Sequence, residues 1–232
     1  MNAEIKKYLL IFLKGILAGL SIGLGGFLYV VLATYTYKIF ASIAFSVGLF
    51  LVCFFALQLY TGKIGNIFDE KKTYFIDLFI MLIGNAIGAY ALGWILRGTN
   101  ILAIPALANK IQAVCEARLI GANDPWWQAL YLSVCCGILV FFAVYFYRTL
   151  KFFPLKVVGL VICVTLFVFL GFEHVIANIF YFGFGAVFDG LYALNLLICV
   201  IGNSLGAFVA RGVVYLIDLL FKKIQMSKKE AE

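Results

Sequence analysis

Six long apolar runs separated by short polar or charged intervals dominate the chain. They fall at Tyr8–Ala33, Ile39–Tyr60, Phe75–Leu96, Trp126–Tyr147, Val157–Phe180 and Leu191–Phe221. Each is long enough for a helix crossing a hydrocarbon core of about 30 Å, which takes about 20 residues. The pattern therefore predicts an all-α integral membrane protein with six transmembrane helices in one transmembrane domain over residues 1–232. The first run opens like a signal peptide, "IKKYLLIFL", but stays apolar through "AGLSIGLGG" to Val31. It is longer than a signal h-region and reads as a retained first helix.

Composition narrows the class further. Hydrophobic residues make up 65% of the chain and charged residues 12%, against about 25% charged in soluble domains. The net charge of +7 raises the question of a nucleic-acid partner, but its distribution answers no. Of the Lys and Arg residues, thirteen fall on the side that six spans assign to both termini: Lys6, Lys7, Lys14, Lys63, Lys71, Lys72, Arg148, Lys151, Lys156, Lys222, Lys223, Lys228 and Lys229. The other side has four, Lys38, Arg97, Lys110 and Arg118, and Arg211 lies inside the last span. The positive-inside rule then puts both termini in the cytoplasm, in a multi-pass cell-membrane protein whose surroundings are lipid rather than nucleic acid. Five of the six cysteines lie in spans and no C-x-x-C occurs, so no disulfide framework, metal or other cofactor is expected. There is neither H-E-x-x-H nor G-x-S-x-G, and the expectation is no enzyme and no catalytic residues.

Two phrases repeat. "GNAIGAY" (Gly84–Tyr90) in span three and "GNSLGAF" (Gly202–Phe208) in span six share Gly, Asn, Gly and Ala in order. "YTGKIGNIF" (Tyr60–Phe68) echoes "FEHVIANIF" (Phe172–Phe180) across spans two and five. The chain thus reads as two copies, about 1–97 and 118–232, joined by a connecting loop 98–117. With three spans per copy the second enters from the opposite side, a 3+3 inverted repeat of the kind that places its site at the midplane. Glycines four apart, Gly84/Gly88 and Gly202/Gly206, permit close helix approach, as do Gly23, Gly25 and Gly26 in span one. Asn85 and Asn203 then either bond to neighbouring backbone or face the permeation path.

Spans two and five are expected to be broken, at Thr61-Gly62 and at Gly171 ahead of Glu173-His174. Freed backbone groups are tolerated at membrane depth only against protein or a water-lined cavity. His174 is the only histidine, in a stretch with no other charge from Val157 to Leu170 and none after it until Asp189. Intramembrane ionisable groups are functional by default because of their cost. An imidazole there can exchange a proton near neutral pH, and Thr61 can donate a hydrogen bond to a passing anion or orient the ring. Glu173 serves either as an anchor for the break or as local electrostatics.

"GFEHVIANIF", "LYTGKIG", "GNSLGAF" and "FLKGILAGLSIGLGG" resemble, in order, the fifth-span, second-span, sixth-span and first-span signatures of the formate/nitrite transporter family. The resemblance implies an aquaporin-like protomer, a homopentamer with one pore per subunit, and permeants such as formate, nitrite or hydrosulfide. It implies a pore centre of His174, Thr61, Asn178 and Glu173. One apolar constriction would hold Phe45, Leu49 and Phe167, and the other Leu59 and Tyr60. Lys14 and Arg118 match its vestibule cations, although Lys14 at a helix end can also simply snorkel. "QLYTGKIG" departs from the formate and nitrite members and is closer to the hydrosulfide type. A cation near each mouth concentrates an anion, and burial then favours its neutral acid; a central histidine could supply that proton. The rival reading is a neutral-solute pore for water, ammonia or hydrogen sulfide, which needs no vestibule cations.

Overall fold

In the computed structural model, which describes residues 2–120 and 125–230, the apolar runs become helices. They are α1 Ala3–Tyr35, α2 Lys38–Phe54, α3 Tyr74–Arg97, α4 Pro105–Glu116, α5 Trp126–Thr149, α6 Phe153–Phe169, α7 Val175–Gly185 and α8 Gly190–Glu230. A short 3₁₀ turn, Ile64–Phe68, follows α2. Among the described residues four helices, α1, α3, α5 and α8, are long and apolar enough to cross a membrane by themselves. The second run instead stops as a helix at Phe54, with the 3₁₀ turn lying beyond its end, and the fifth is split into α6 and α7.

Glycine sets how these helices meet. α1 lies along α3 and α5 along α8, each pair in backbone contact. A Cβ added at Gly88 would sit 2.0 Å from the Ile16 carbonyl oxygen, and one at Gly206 2.1 Å from that of Val134. Facing them, a Cβ at Gly19 would meet the Asn85 oxygen at 2.1 Å, and one at Gly137 the Asn203 oxygen at 2.2 Å. In lipid, where apolar surface gains nothing by hiding from its surroundings, this close packing is a main source of association. Gly25 likewise abuts the Phe45 carbonyl of α2, 2.5 Å from an added Cβ.

The two breaks share one design. Where α2 ends, the Leu57 N–H bonds the Val52 carbonyl at 2.9 Å and the Ala56 N–H the Cys53 carbonyl at 3.3 Å, with Ala56 left-handed at φ 49°. Where α6 ends, the Phe172 N–H bonds the Phe167 carbonyl at 2.9 Å and the Gly171 N–H that of Val168 at 3.2 Å, with Gly171 at φ 77°. Both are Schellman closures. The first break therefore begins at Ala56, ahead of the expected Thr61-Gly62, because a left-handed cap stops α2 five residues earlier.

An asparagine then holds each break. Asn85 accepts from the Tyr60 N–H (2.8 Å) and donates to the carbonyls of Gln58 (2.7 Å) and Gly15 (2.9 Å). Asn203 accepts from the Val175 N–H (3.0 Å) and donates to the carbonyls of Glu173 (2.8 Å) and Ser133 (2.9 Å). Both side chains are fully buried, and both satisfy backbone that a continuous helix would have satisfied itself. Of the two readings of the repeated phrase, backbone bonding is the one observed.

The connection 98–117, expected as a loop, holds α4. Pro105 opens that helix at its first turn, and Leu107, Ile111, Val114 and Cys115 form the buried stripe that packs it on α7 and α1. At the other end, Lys7 of α1 pairs with Asp77 of α3 at 2.7 Å. Arg211 of α8 pairs with Asp69, just after the 3₁₀ turn, through bonds of 2.7 and 2.8 Å. The start of α1 and the second half of α8 thus share one face of the molecule with the 69–73 turn, called here the termini face.

Candidate pore and its central pair

Two chambers enter the protein from opposite faces. The outer one, about 330 Å³, opens away from the termini face and is lined by Lys38, Lys110, Arg118, Phe45, Phe167 and His174 among others. Burial, with Lys110 and Arg118 nearby, lowers the Lys38 pKa below the usual lysine value. The inner one, about 280 Å³, is lined by Lys63, Arg148, Lys156, Leu59, Val52 and Gly62 among others. On α2, Leu49 falls between Phe45 of the outer lining and Val52 of the inner one; Leu49, Thr61 and Leu59 are each at most 2% exposed and are called here the barrier.

His174 sits at that barrier, 2% exposed. It is the N-cap of α7 in extended conformation, and its Nδ1 accepts the Ala177 N–H at 3.3 Å. Its other nitrogen, Nε2, lies 2.9 Å from Thr61 Oγ1. Because Nδ1 is an acceptor, this network assigns the neutral ring's proton to Nε2, donating to Thr61. A second proton, at Nδ1, would break the cap and place a cation at the positive end of α7. The ring is also held by stacking on Phe167, centroids 5.8 Å apart, while Phe167 meets Phe45 edge-on at 5.7 Å.

Behind the histidine lies a buried polar cluster. Arg118 Nε donates to Asn178 Oδ1 at 2.8 Å and lies 3.6 Å from Glu173 Oε2, while its Nη1 donates to the Val114 carbonyl at 2.6 Å. Its guanidinium covers the Tyr181 ring, 4.7 Å from the centroid. Asn178 Nδ2 donates to Glu173 Oε2 and, at 3.0 Å, to Asn195 Oδ1. Every charge here is matched: a guanidinium, which keeps its proton, faces one carboxylate through an asparagine.

The residues expected from the sequence are distributed as follows. His174, Glu173, Asn178, Arg118, Phe45 and Phe167 line one chamber, and Thr61 meets that set through His174. Arg118 is not a loose vestibule charge; it is tethered to Glu173 and Asn178. Leu49 is buried within the barrier, and Leu59 reaches the inner chamber. Tyr60 turns aside: its hydroxyl lies 2.9 Å from Ser204 Oγ and its ring packs with Ile11, Ile64 and Phe141. Lys14 is half-buried, with Nζ 3.4 Å from the Ala56 carbonyl at the first break. Sequence reasoning did not single out Lys38, Lys110, Arg148 or Lys156 as chamber cations, nor Asn195 as a partner of Asn178. Their only signal was that they are polar residues near span ends or inside span six.

Two broken spans that meet at a buried polar pair, between cation-lined chambers, define a membrane channel or transporter. The comparisons make this specific. Residues 2–217 match the Formate/nitrite transporter family, and the chain belongs to it. It is 27% identical to a formate-nitrite transporter of Plasmodium malariae, over 93% of this chain and 77% of that one. It is 25% identical to the formate channel FocA of Haemophilus influenzae, over 78% and 68% respectively. A solved pentameric formate channel with formate bound superposes with a TM-score of 0.79 at 26% identity, covering 94% of this chain and all of the other. The protein is accordingly a channel for small anions and not an enzyme.

Proposed function

We propose that the chain conducts small monovalent weak-acid anions of the formate class through a pore in each protomer, with Thr61 and His174 as its hydrogen-bonding centre. The carrying observation is the 2.9 Å pair between the two chambers. With the imidazole Nε2–H donating to Thr61, the hydroxyl hydrogen is left for an anion that has shed its water. A hydrogen bond from a neutral donor offsets part of a desolvation cost that would otherwise exclude the ion. Phe45, Leu49 and Phe167 form the apolar ring on one side of the pair, and Leu59 lies on the other.

This arrangement favours hydrogen-bond donation over a proton relay. A neutral imidazole that released Nε2–H would be left as imidazolate, and a charged one would forfeit its bond from Ala177. Any proton the permeant gains would then come from water in the chambers. Cations in both chambers support an anion over the neutral-solute alternative.

The matched asparagine clamps and left-handed caps support the 3+3 inverted repeat. The excess of Lys and Arg on the termini face supports cytoplasmic termini in a cell membrane. The match along all of a chain from a pentameric channel supports a homopentamer in the bilayer. The test is uptake into proteoliposomes of formate, nitrite, hydrosulfide, water and ammonia between pH 5 and 8. One anion, passing well above empty vesicles, is expected. Passage of water or ammonia without any anion would overturn the assignment; in His174→Gln, whose amide can still donate to Thr61, anion flux with an unchanged pH profile supports donation and its loss supports a relay.

A further inference from the structure

The inner chamber carries more positive charge than a monovalent permeant needs. Lys63, Arg148 and Lys156 all line its 280 Å³, and no carboxylate among the described residues does. Among the described residues the ion pairs are Lys7–Asp77, Arg118–Glu173 and Arg211–Asp69, so none of the three chamber cations is neutralised by a partner within 4 Å. They come from three separate elements: Lys63 from the segment after the first break, Arg148 from the end of α5 and Lys156 from the start of α6. Lys156 is further placed by Tyr147, whose ring centroid is 5.6 Å from its Nζ. Of the other two, Arg148 is felt at Lys63: burial first, then Arg148 and Lys14, push its pKa down to about 8. The outer chamber differs in that a carboxylate, Glu173, stands among its cations and pairs with Arg118.

We infer that the inner chamber is a binding site for a multivalent oxyanion of the phosphate class, held by Lys63, Arg148 and Lys156, and that its occupant blocks conduction from the termini face. This rests on the proposed pore. Arg and Lys donors converging from three sides suit a tetrahedral anion with several acceptor oxygens. The same anion cannot continue inward. Ahead of it lie Leu59, Leu49, Phe45 and Phe167, all buried, and the Born cost of stripping water rises with the square of the charge, to about four times that of a monoanion for a dianion. What attracts a monovalent ion and lets it pass therefore captures a divalent one and stops it.

The experiment uses the full chain in neutral-lipid proteoliposomes, with protein orientation sorted by accessibility of a C-terminal tag. Formate flux is read with inorganic phosphate on the termini face, on the opposite face, or replaced by chloride at equal ionic strength. A block several-fold stronger from the termini face than from the other, and absent with chloride, is expected. The double substitution Arg148→Gln, Lys156→Gln should raise the half-blocking concentration at least about tenfold, the effect of losing about 1.5 kcal/mol of charge-assisted hydrogen bonding. Equal block from both faces, equal block by chloride, or block untouched by the substitutions would overturn the inference. So would inhibition seen only in vesicles containing phosphatidic acid, which would assign the cations to a lipid headgroup. Equilibrium dialysis of labelled phosphate against the detergent-solubilised protein needs no conduction. If formate does not permeate, charge-dependent phosphate binding still upholds the site and its absence refutes it, so failure of the site and failure of the pore reading remain distinct.

Discussion

Thr61→Val is the substitution that bears most directly on the central pair. Valine matches threonine in shape and replaces only the hydroxyl, which lies 2.9 Å from His174 Nε2 in a site with no exposure. Two effects follow. In the resting protein the Nε2–H loses its acceptor, at about 1–3 kcal/mol for a buried unsatisfied donor. During conduction the anion loses a hydrogen bond, and bonds to charged groups contribute about 1.5–3 kcal/mol. At about 1.4 kcal/mol per decade, the second effect alone slows formate flux about 10- to 150-fold. Stopped-flow formate uptake by proteoliposomes, normalised to protein of unchanged oligomer size, measures it. Thr61→Ser keeps the hydroxyl and should stay within about threefold of the parent. Valine at parental flux, or serine as slow as valine, would show that the hydroxyl does not act on the permeant, and the reasoning would fail.

Three further outcomes follow from the same structure. Ala56→Gly should raise the melting temperature, because a left-handed alanine costs about 1 kcal/mol that glycine does not. Gly171→Ala should lower it by a similar energy, with no clash to add, since nothing lies within 4 Å of the new Cβ; both are read by thermal unfolding in detergent. Asn203→Leu leaves the Val175 N–H and the Glu173 carbonyl without their clamp, at about 1–3 kcal/mol each; reduced thermal stability together with lost formate flux is expected. Lys63, its pKa lowered to about 8, gives up its charge as pH rises from 7 to 9. Formate, ionised throughout, should then need about twofold more concentration for half-saturation from the termini face, as for one charge lost about 8 Å away in water, and Lys63→Gln should remove that pH step.

How far the sequence carried this structure can be traced residue by residue. The long spans were legible because each is an uninterrupted apolar run, and the Gly-Asn phrases because close packing and backbone clamping both demand specific residue types. The break in span five announced itself through Gly171, Glu173 and His174. In span two Thr61-Gly62 marked the break but not where it begins: the chain enters it through "FFALQLY", where a left-handed alanine replaces glycine and nothing polar precedes Gln58. Tyr60 was misleading for a related reason, since its place in the chain says nothing of a hydroxyl turned to Ser204. α4 was hidden because its buried stripe lies in a segment too polar to be a span.

The register of the two halves sets the two breaks apart. As phrases, "YTGKIGNIF" and "FEHVIANIF" set Tyr60 beside Phe172. The asparagine clamps set Tyr60 beside Val175, three residues on, since Asn85 takes the N–H of one and Asn203 that of the other. The left-handed caps agree: Ala56 and Gly171 stand at the same distance before those residues as each other. In that register His174 is the counterpart of Leu59, not of Gly62, and Thr61 is the counterpart of Ile176. The central pair is therefore not symmetric. One half contributes an imidazole where the other has an apolar side chain, and the second contributes a hydroxyl where the first has another. Two like breaks thus acquire a single hydrogen-bonded pair, with an apolar residue at the register position opposite each member.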